Sequence, residues 1–417
     1  MTREHNWSDT HTFQASRIHR PKTVDEVRRL VAAAPRIRAI GAKHSFNGLA
    51  DSPGELIDPG DLDARIEIDT PRQTVSVPAA TSYGSLAAFL QAQGWALHNM
   101  GSLPHISVAG ATATGTHGSG DKNGNLSTAV AGLELVTATG DLVEVRRGDA
   151  DFDGMVVGLG AFGIVTRLTL DIQPTFDLRQ DAFMDLPWSA TLANLDEIMA
   201  AAYSVSLMTK WSGDTVGRLW LKTRVVDGAP LEVTAAHLGA TGTSHVAANM
   251  SLDAVTQLTP FGIAGPWSDR ICHFNVGVDP GTPAQIQSEY MVPRNQARRA
   301  LETMRAMADR IDALLIMTEI RTMMGDALWL SPSYGHDTVA LHFTWQRDPA
   351  AVDGITAEIE EKLIALGARP HWGKLMHAGT DTIGSLYPRL DAFRTLADRY
   401  DPAGKFRNEF LRRHVFG

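Results

Sequence analysis

The sequence predicts an α+β fold in two parts, on three observations. Up to about Thr175, short helical runs intermix with short strand runs, two of them joined as a hairpin. Near Thr175 the character changes: Trp and Met become common and the density of Gly, Ser and Thr falls. Beyond it, lone long helices stand beside antiparallel-looking strands, the pattern of an α+β domain. A length of 417 residues corresponds to about two to three domains.

In chain order, Thr23 to Ala34 reads as a helix. Thr23 and Glu26 form a capping box, and Val24, Val27, Leu30 and Val31 share one face. Arg36 to Ile40 is a strand running into GAKHSFN, Gly41 to Asn47. Leu56 to Asp58, Ile66 to Ile68 and Thr74 to Val77 are short strands, and Ser82 to Gln93 is a helix stopped by Gly94. Gly132 to Thr137 and Asp141 to Arg146 form the hairpin. Gly158, Gly160 and Gly163 match G-x-G-x-x-G, but the dinucleotide-binding use of that motif needs a helix behind it. The following TRLTLDIQP alternates with period two and ends at Pro174, which is a strand. The stretch is therefore a tight turn between a helix and a strand beside a ligand. Further on, Leu195 to Val205 is helix-like, Arg218 to Val225 a strand, and Ala236 to Thr256 a loop. Pro293 to Leu315 is a long helix, Met317 to Thr322 and Thr338 to Gln346 are strands, and Ala350 to Leu366 is a helix.

Hydrophobic residues make up 44% and charged residues 20% of the chain, enough for a sizeable core. The net charge is −9 with no Lys/Arg cluster, which sets nucleic-acid binding aside. One cysteine, Cys272, excludes internal disulfides and thiolate zinc clusters and fits a reducing compartment. The opening MTREHNWSDTHTF lacks the apolar run of a secretory leader, and no stretch of about 18 apolar residues is present. A cytoplasmic location away from membranes is expected.

The stretch Asn99 to Gly120, NMGSLPHISVAGATATGTHGSG, contains no Lys, Arg, Asp or Glu. Such a ribbon offers backbone N–H groups and small hydroxyls to a large polar ligand with phosphates. A flexible linker is the alternative, opposed by the apolar anchors Leu103, Ile106, Val108 and Ala113. Glu319 and Arg321 stand two apart in TEIRT, as do His342 and Thr344 in LHFTW, so on strands each pair shares a face. Neighbouring strands would present four polar groups to one cavity, with Lys374 of HWGKL following. The alternative is a solvated face with an ordinary Glu–Arg pair. His44, His105 and His117 are each open to a nucleophilic, ligating or structural role. No HExxH occurs, and His371, His377 and His342 lack a zinc spacing, so no metal is expected. G-x-S-x-G is absent, and Ser119 reads as backbone support.

GAKHSFN, NMGSLPHISVAGATATGTHGSG, LGAFGIVT, AAYSVSL, QSEYMVPR, EIRT, LSPSYGHDTVALHFTW, ARPHWGK and DPAGKFRNEF occur in that order over nearly the whole length. Together they resemble the flavoprotein family of vanillyl-alcohol oxidase and p-cresol methylhydroxylase. The resemblance implies a two-domain FAD-linked oxidase fold. Residues 1–175, completed by a 376–417 tail, would form an FAD-binding domain of two α+β subdomains. Residues 176–375 would form a substrate domain with an antiparallel sheet flanked by helices. It implies a covalent bond from His44 to the flavin. Further flavin contacts fall at Gly41, Ala42, Lys43, Ser45, Phe46, Ser102, Ser107, Gly110, Thr114, Gly115, Thr116, His117, Gly118, Gly163, Ile164 and Val165. Cys272 lies outside every flavin motif, so a single covalent link is expected.

The family's substrate residues carry over to Ser102, Glu319, Arg321, Thr344 and Lys374, with His342 beside them. The implied reaction is oxidation of the C1 hydroxyl of a sugar alcohol such as xylitol, sorbitol or glycerol, by hydride transfer to flavin N5, with O2 reduced to H2O2. Arg321 and Lys374 would stabilise developing negative charge, and His342 or Glu319 would accept the proton. Gly101, before Ser102, falls where the family is thought to gate oxygen. Lys43 departs from the family, which has a small residue before the linking histidine. A sugar-1,4-lactone oxidase or dehydrogenase is the alternative in the same fold, and a non-catalytic carbohydrate- or nucleotide-binding protein the alternative outside it. The chain is expected to act as a monomer.

Overall fold

A computed structural model describes residues 4–226, 229–230, 235–243, 257–277 and 285–417. The first helix, Val24–Ala33, is capped as its sequence requires. Thr23 Oγ1 accepts from Glu26 N at 3.2 Å, and the Glu26 carboxylate accepts from Lys22 N at 2.7 Å. Its buried Val27 and Val31 pack with Ile37, Ile57, Ile164 and Phe406. The strand Ile37–Ala39 pairs in parallel with Glu55–Ile57, which pairs with Arg17–His19. Helix Tyr83–Ala92 is capped by Ser82 and followed by Gly94 at φ +78°.

A five-stranded antiparallel sheet follows, in the order Glu67–Asp69, Thr74–Pro78, Ile164–Asp171, Val130–Val136, Leu142–Arg146. The expected hairpin is its edge. Gly163 leads directly into strand Ile164–Asp171, so no helix follows the glycine motif. A Cβ on Gly163 would lie 2.3 Å from Val136 O, so only glycine allows that approach.

Among the described residues the larger sheet has ten strands. Its main path runs Thr241–Thr243, Asp177–Pro187, Thr215–Val226, Ser204–Thr209, Leu315–Met323, Thr338–Gln346, Gln285–Pro293, Arg369–Pro370, with antiparallel pairing throughout. One face is apolar: Leu207, Leu219, Ile320, Leu341, Phe343, Trp345 and Tyr290 pack under helices Ala297–Arg305 and Pro349–Ile364. The other carries Arg218, Met208, Glu319, His342 and Glu289 in one transverse row, because the strand registers pair them in turn. At about 4.8 Å per strand that row spans about 19 Å.

Three elements differ from expectation. The helix at Leu195 ends at Ala200, and strand Ser204–Thr209 begins where a helix was expected to run on. VSLM there is buried in the middle of the sheet, where pairing overrides helical spacing. Pro293 ends strand Gln285–Pro293 instead of opening a helix. The helix starts at Ala297 and breaks after Arg305. In the stretch expected to be loop, Thr241–Thr243 pairs with Ala182–Met184, and residues 244–256 lie outside the described residues. Helix Val108–Ala113, inside the uncharged ribbon, and strand Asp177–Pro187 are additional.

The C-terminal elements close back on the beginning. Asn408 Nδ2 lies 2.9, 2.9 and 2.8 Å from the carbonyls of Gly48, Leu49 and Asp51. Lys405 Nζ donates to Val31 O and Ala138 O.

Candidate active site

A cavity of ≈ 630 Å³ is lined by the ribbon, the GAKHSFN loop and the polar face of the large sheet. The ribbon supplies a flat wall. A Cβ on Gly41 would stand 2.7 Å from Ser107 Oγ, and one on Gly110 2.9 Å from the same atom. Glycine at both positions lets loop and ribbon meet with almost no side chain between them.

The loop is tied to the segment that carries Lys374. Phe46 N donates to Gly373 O at 2.8 Å, and Asn47 Nδ2 donates to Trp372 O and Lys374 O, both at 2.8 Å. Lys374 Nζ lies 5.0 Å over the Phe46 ring. Trp7 covers His44, with ring centroids 4.6 Å apart. Burial, with Lys374 and His105 nearby, pushes His44 down to about 4. Lys43 takes φ +60° and its ammonium contacts the half-exposed Glu4. Its charge is therefore shared with a surface carboxylate.

The sheet wall is a set of paired charges. Glu319 Oε1 lies 2.5 Å from His273 Nε2, and its other oxygen meets the Arg321 guanidinium, which also contacts Ser102 Oγ. Burial alone would raise the Glu319 carboxyl, but Arg321 and His273 hold it well below the usual carboxylate range. Burial pushes His273 to about 4. Glu289 is likewise held low, against its burial, chiefly by His117. His117 faces acceptors at both ring nitrogens, Gly118 O at 2.8 Å and Glu289 Oε1 at 2.9 Å. Lys374 Nζ contacts Gln287 Oε1, which also lies 3.1 Å from His342 Nε2. Burial lowers Lys374 to about 8 and His342 to about 3. Breaking one buried pair of this kind costs about 3–5 kcal/mol, because it leaves a charge uncompensated.

Most of the expected site residues meet on this cavity: Gly41, Ala42, Lys43, His44, Ser45, Phe46, Gly101, Ser102, Ser107, Gly110, Thr114, Thr116, His117, Gly163, Val165, Glu319, Arg321, His342, Thr344 and Lys374 line it. Gly115, Gly118 and Ile164 do not. Ile164 alternates away from Val165 into the cluster with Val27 and Val31. Gly115 abuts Pro332, where a Cβ would come to 2.6 Å, and Gly118 abuts Asn99 Oδ1, where it would come to 2.2 Å. Both are packing glycines.

Trp7, Gln287, Glu289, His273 and His371 also line the cavity and were not foreseen. Gln287 and Glu289 stand two apart on one strand, so the spacing that revealed Glu319 and Arg321 applies to them equally. His273, in a loop, leaves no periodic signal. Among the described residues no cluster of His, Cys, Asp and Glu could hold a metal, and no helix is long and apolar enough to cross a membrane. Cys272 is buried and pushed up to about 12 by that burial.

Comparison with known proteins comes to bear on this geometry. A family described as an FAD binding domain matches residues 15–146, and one described as D-arabinono-1,4-lactone oxidase matches residues 281–414. The chain is 43% identical to an alditol oxidase of a Streptomyces species, over 98% of this chain and 97% of that protein. It is 28% identical to an L-gulono-1,4-lactone dehydrogenase of Mycobacterium tuberculosis, over 98% of each. Among solved structures, cholesterol oxidase from B. sterolicum superposes with a TM-score of 0.80 at 18% identity, over 99% of this chain and 96% of that one. That likeness concerns the two-domain FAD-linked oxidase fold alone.

Proposed function

Because the chain belongs to the alditol oxidase family, within the vanillyl-alcohol oxidase / p-cresol methylhydroxylase flavoproteins, we propose that it uses FAD and O2 to oxidise the terminal C1 hydroxyl of alditols such as xylitol, sorbitol and glycerol to the aldose. The observation that carries this reading is the sheet wall. An alditol is uncharged and covered in hydroxyls, so its site needs many fixed donors and acceptors, and each one left unpaired in a buried site costs about 1–3 kcal/mol. Ser102, Glu319, Arg321, Thr344 and Lys374 supply both kinds on one cavity.

The glycine-flattened ribbon, the cavity size and the small residues from Ser107 to Thr116 fit an extended dinucleotide. FAD held there would supply the two-electron acceptor for the hydride lost from C1, with O2 as the final oxidant and H2O2 as the second product. We assign the covalent tether to His44, whose neutral ring has the lone pair a nucleophile needs. The Cys272 thiol is held in its unreactive form.

Arg321 and Lys374 place positive charge where the hydroxyl loses its proton, stabilising charge that appears only during reaction. Glu319 holds Arg321 in place. Both Glu319 oxygens already have partners, which makes it the poorer of the two proton acceptors the sequence left open. His342 is neutral on the same wall and its Nδ1 is a buried atom without a protein partner; burial makes it a weaker base than an ordinary histidine, but unlike Glu319 it has a free acceptor atom, and we assign it the proton.

Purified protein tests the proposal. A yellow colour that stays with acid-precipitated protein, and peroxide formed from xylitol, sorbitol or glycerol, are expected. Colourless protein that takes up no FAD would defeat it. The lactone-oxidase match over residues 281–414 favours a second reading, oxidation of a sugar-1,4-lactone, which peroxide formed only with gulonolactone would select.

A further inference from the structure

We propose that His273 is a positioning residue that fastens the Glu319–Arg321 pair to the ribbon at Ser102, with Lys222 fixing the segment that carries it. The proposal rests on the function proposed above.

Four contacts close a ring, and a fifth, from Phe274 N, reinforces it. Ser102 O accepts from His273 N at 3.3 Å and from Phe274 N at 3.2 Å. His273 Nε2 meets Glu319 Oε1 at 2.5 Å. The other Glu319 oxygen meets Arg321 Nη2, and the same guanidinium nitrogen reaches Ser102 Oγ. The ring starts on the ribbon, crosses to the sheet and returns. A carboxylate only accepts, so His273 donates from Nε2.

The His273 segment has little regular structure to hold it, following the one-turn helix Trp267–Arg270. Lys222 compensates. Its side chain is fully buried, and Nζ donates to the carbonyls of Arg270, Ile271 and Cys272 at 2.8, 2.7 and 2.6 Å. The three carbonyls can take every proton of its ammonium form, whose pKa burial lowers to about 7. Trp220, two along from Lys222 and on the same sheet face, meets the His273 ring edge-on, 5.0 Å away at 83°. The imidazole is thus wedged between an indole and a carboxylate. Glu319 is faced by Arg321 on its own strand, His342 on the next strand and His273 from the loop, with Lys222 and Lys374 further off. Removing His273 leaves Arg321 as the hydrogen-bond partner of Glu319.

Three variants of the holoenzyme isolate the contact. His273→Gln keeps a donor near the Nε2 position, His273→Asn places its amide short of it, and His273→Leu has none. Losing one hydrogen bond to a charged group is expected to raise KM for xylitol about tenfold or more in the Asn and Leu variants. The lost donor no longer favours the ionised carboxyl, so the acid limb of kcat/KM should move to higher pH by about one unit in both. His273→Gln should keep wild-type KM and acid limb, and Lys222→Met should shift KM in the same direction as Asn. If the Leu protein fails to fold, the Gln–Asn pair still decides. A wild-type acid limb and KM in all three His273 variants, or Gln as impaired as Asn, overturns the assignment. Wild-type enzyme active on gulonolactone but not xylitol overturns the function instead, and the same series is then read with the lactone.

Discussion

The ribbon Asn99 to Gly120 and the polar face of the ten-stranded sheet enclose one cavity but hold their shape by different means. The ribbon carries no Lys, Arg, Asp or Glu and keeps its form largely by close contact at its glycines. The sheet wall is held by charge: Glu319 between His273 and Arg321, Glu289 on His117, Lys374 on Gln287. The ribbon should therefore be intolerant of added volume, and the sheet wall intolerant of an unpaired charge.

The largest expected effect is on the sheet wall. If Arg321 acts as proposed, Arg321→Leu removes a donor from the reacting centre and should lower kcat about 10²–10³-fold. It also leaves the ionised Glu319 hydrogen-bonded to His273 but without a counter-charge, and should cost about 3–5 kcal/mol in denaturant unfolding. Adding Glu319→Leu should recover part of that stability and none of the rate. If the single and double variants unfold alike, the wall is not held by its pair. On the ribbon, Gly118→Ala drives a methyl to 2.2 Å from Asn99 Oδ1 and 2.4 Å from Met100 O, and should destabilise by about 1–3 kcal/mol as overpacking does.

The next test is a pH profile. Lys374 is lowered to about 8 by burial, so it is charged below that pH and neutral above. If its charge aids the reaction, kcat holds below pH 8 and falls above it, and Lys374→Arg should remove the fall. A rate that rises through pH 8 would make the neutral amine the proton acceptor in place of His342.

The smallest structural effect belongs to Gly101→Ala. Its added carbon would lie 3.5 Å from Ile106 Cδ1 and 3.8 Å from His117 O, ordinary contact, so unfolding should move by no more than about 0.5 kcal/mol. Stopped-flow should show slower reoxidation by O2 with the reductive rate unchanged. Equal oxygen reactivity would remove the gating role. Gly118→Ala as harmless as Gly101→Ala would remove the steric account of the ribbon.

The two walls also differed in how far the sequence revealed them. The ribbon stood out by composition, and Glu319, Arg321, His342 and Thr344 by period two, because a strand places alternate residues on one face. The same rule covers Gln287 and Glu289, hidden because Pro293 read as the start of a helix when it is the end of a strand. The register that sets Glu289 opposite His342, and His342 opposite Glu319, is a long-range pairing that no local pattern encodes. His273 was invisible for another reason: its place depends on a lysine about 50 residues earlier and on the ribbon before that. Ile164, adjacent to Gly163, turns its side chain away from the cavity because strand alternation sends it into the cluster with Val27 and Val31.

Asn408 gives the molecule a timetable as well as a bond. Its amide backs residues 48–51 from |i−j| of up to 360 positions away, and Phe46 and Asn47 lean on carbonyls at 372–374 in the same way. A nascent chain emerging from the ribosome has made the His44 loop long before either support exists. The loop has its full set of supports only once the segment beyond residue 400 has been synthesised.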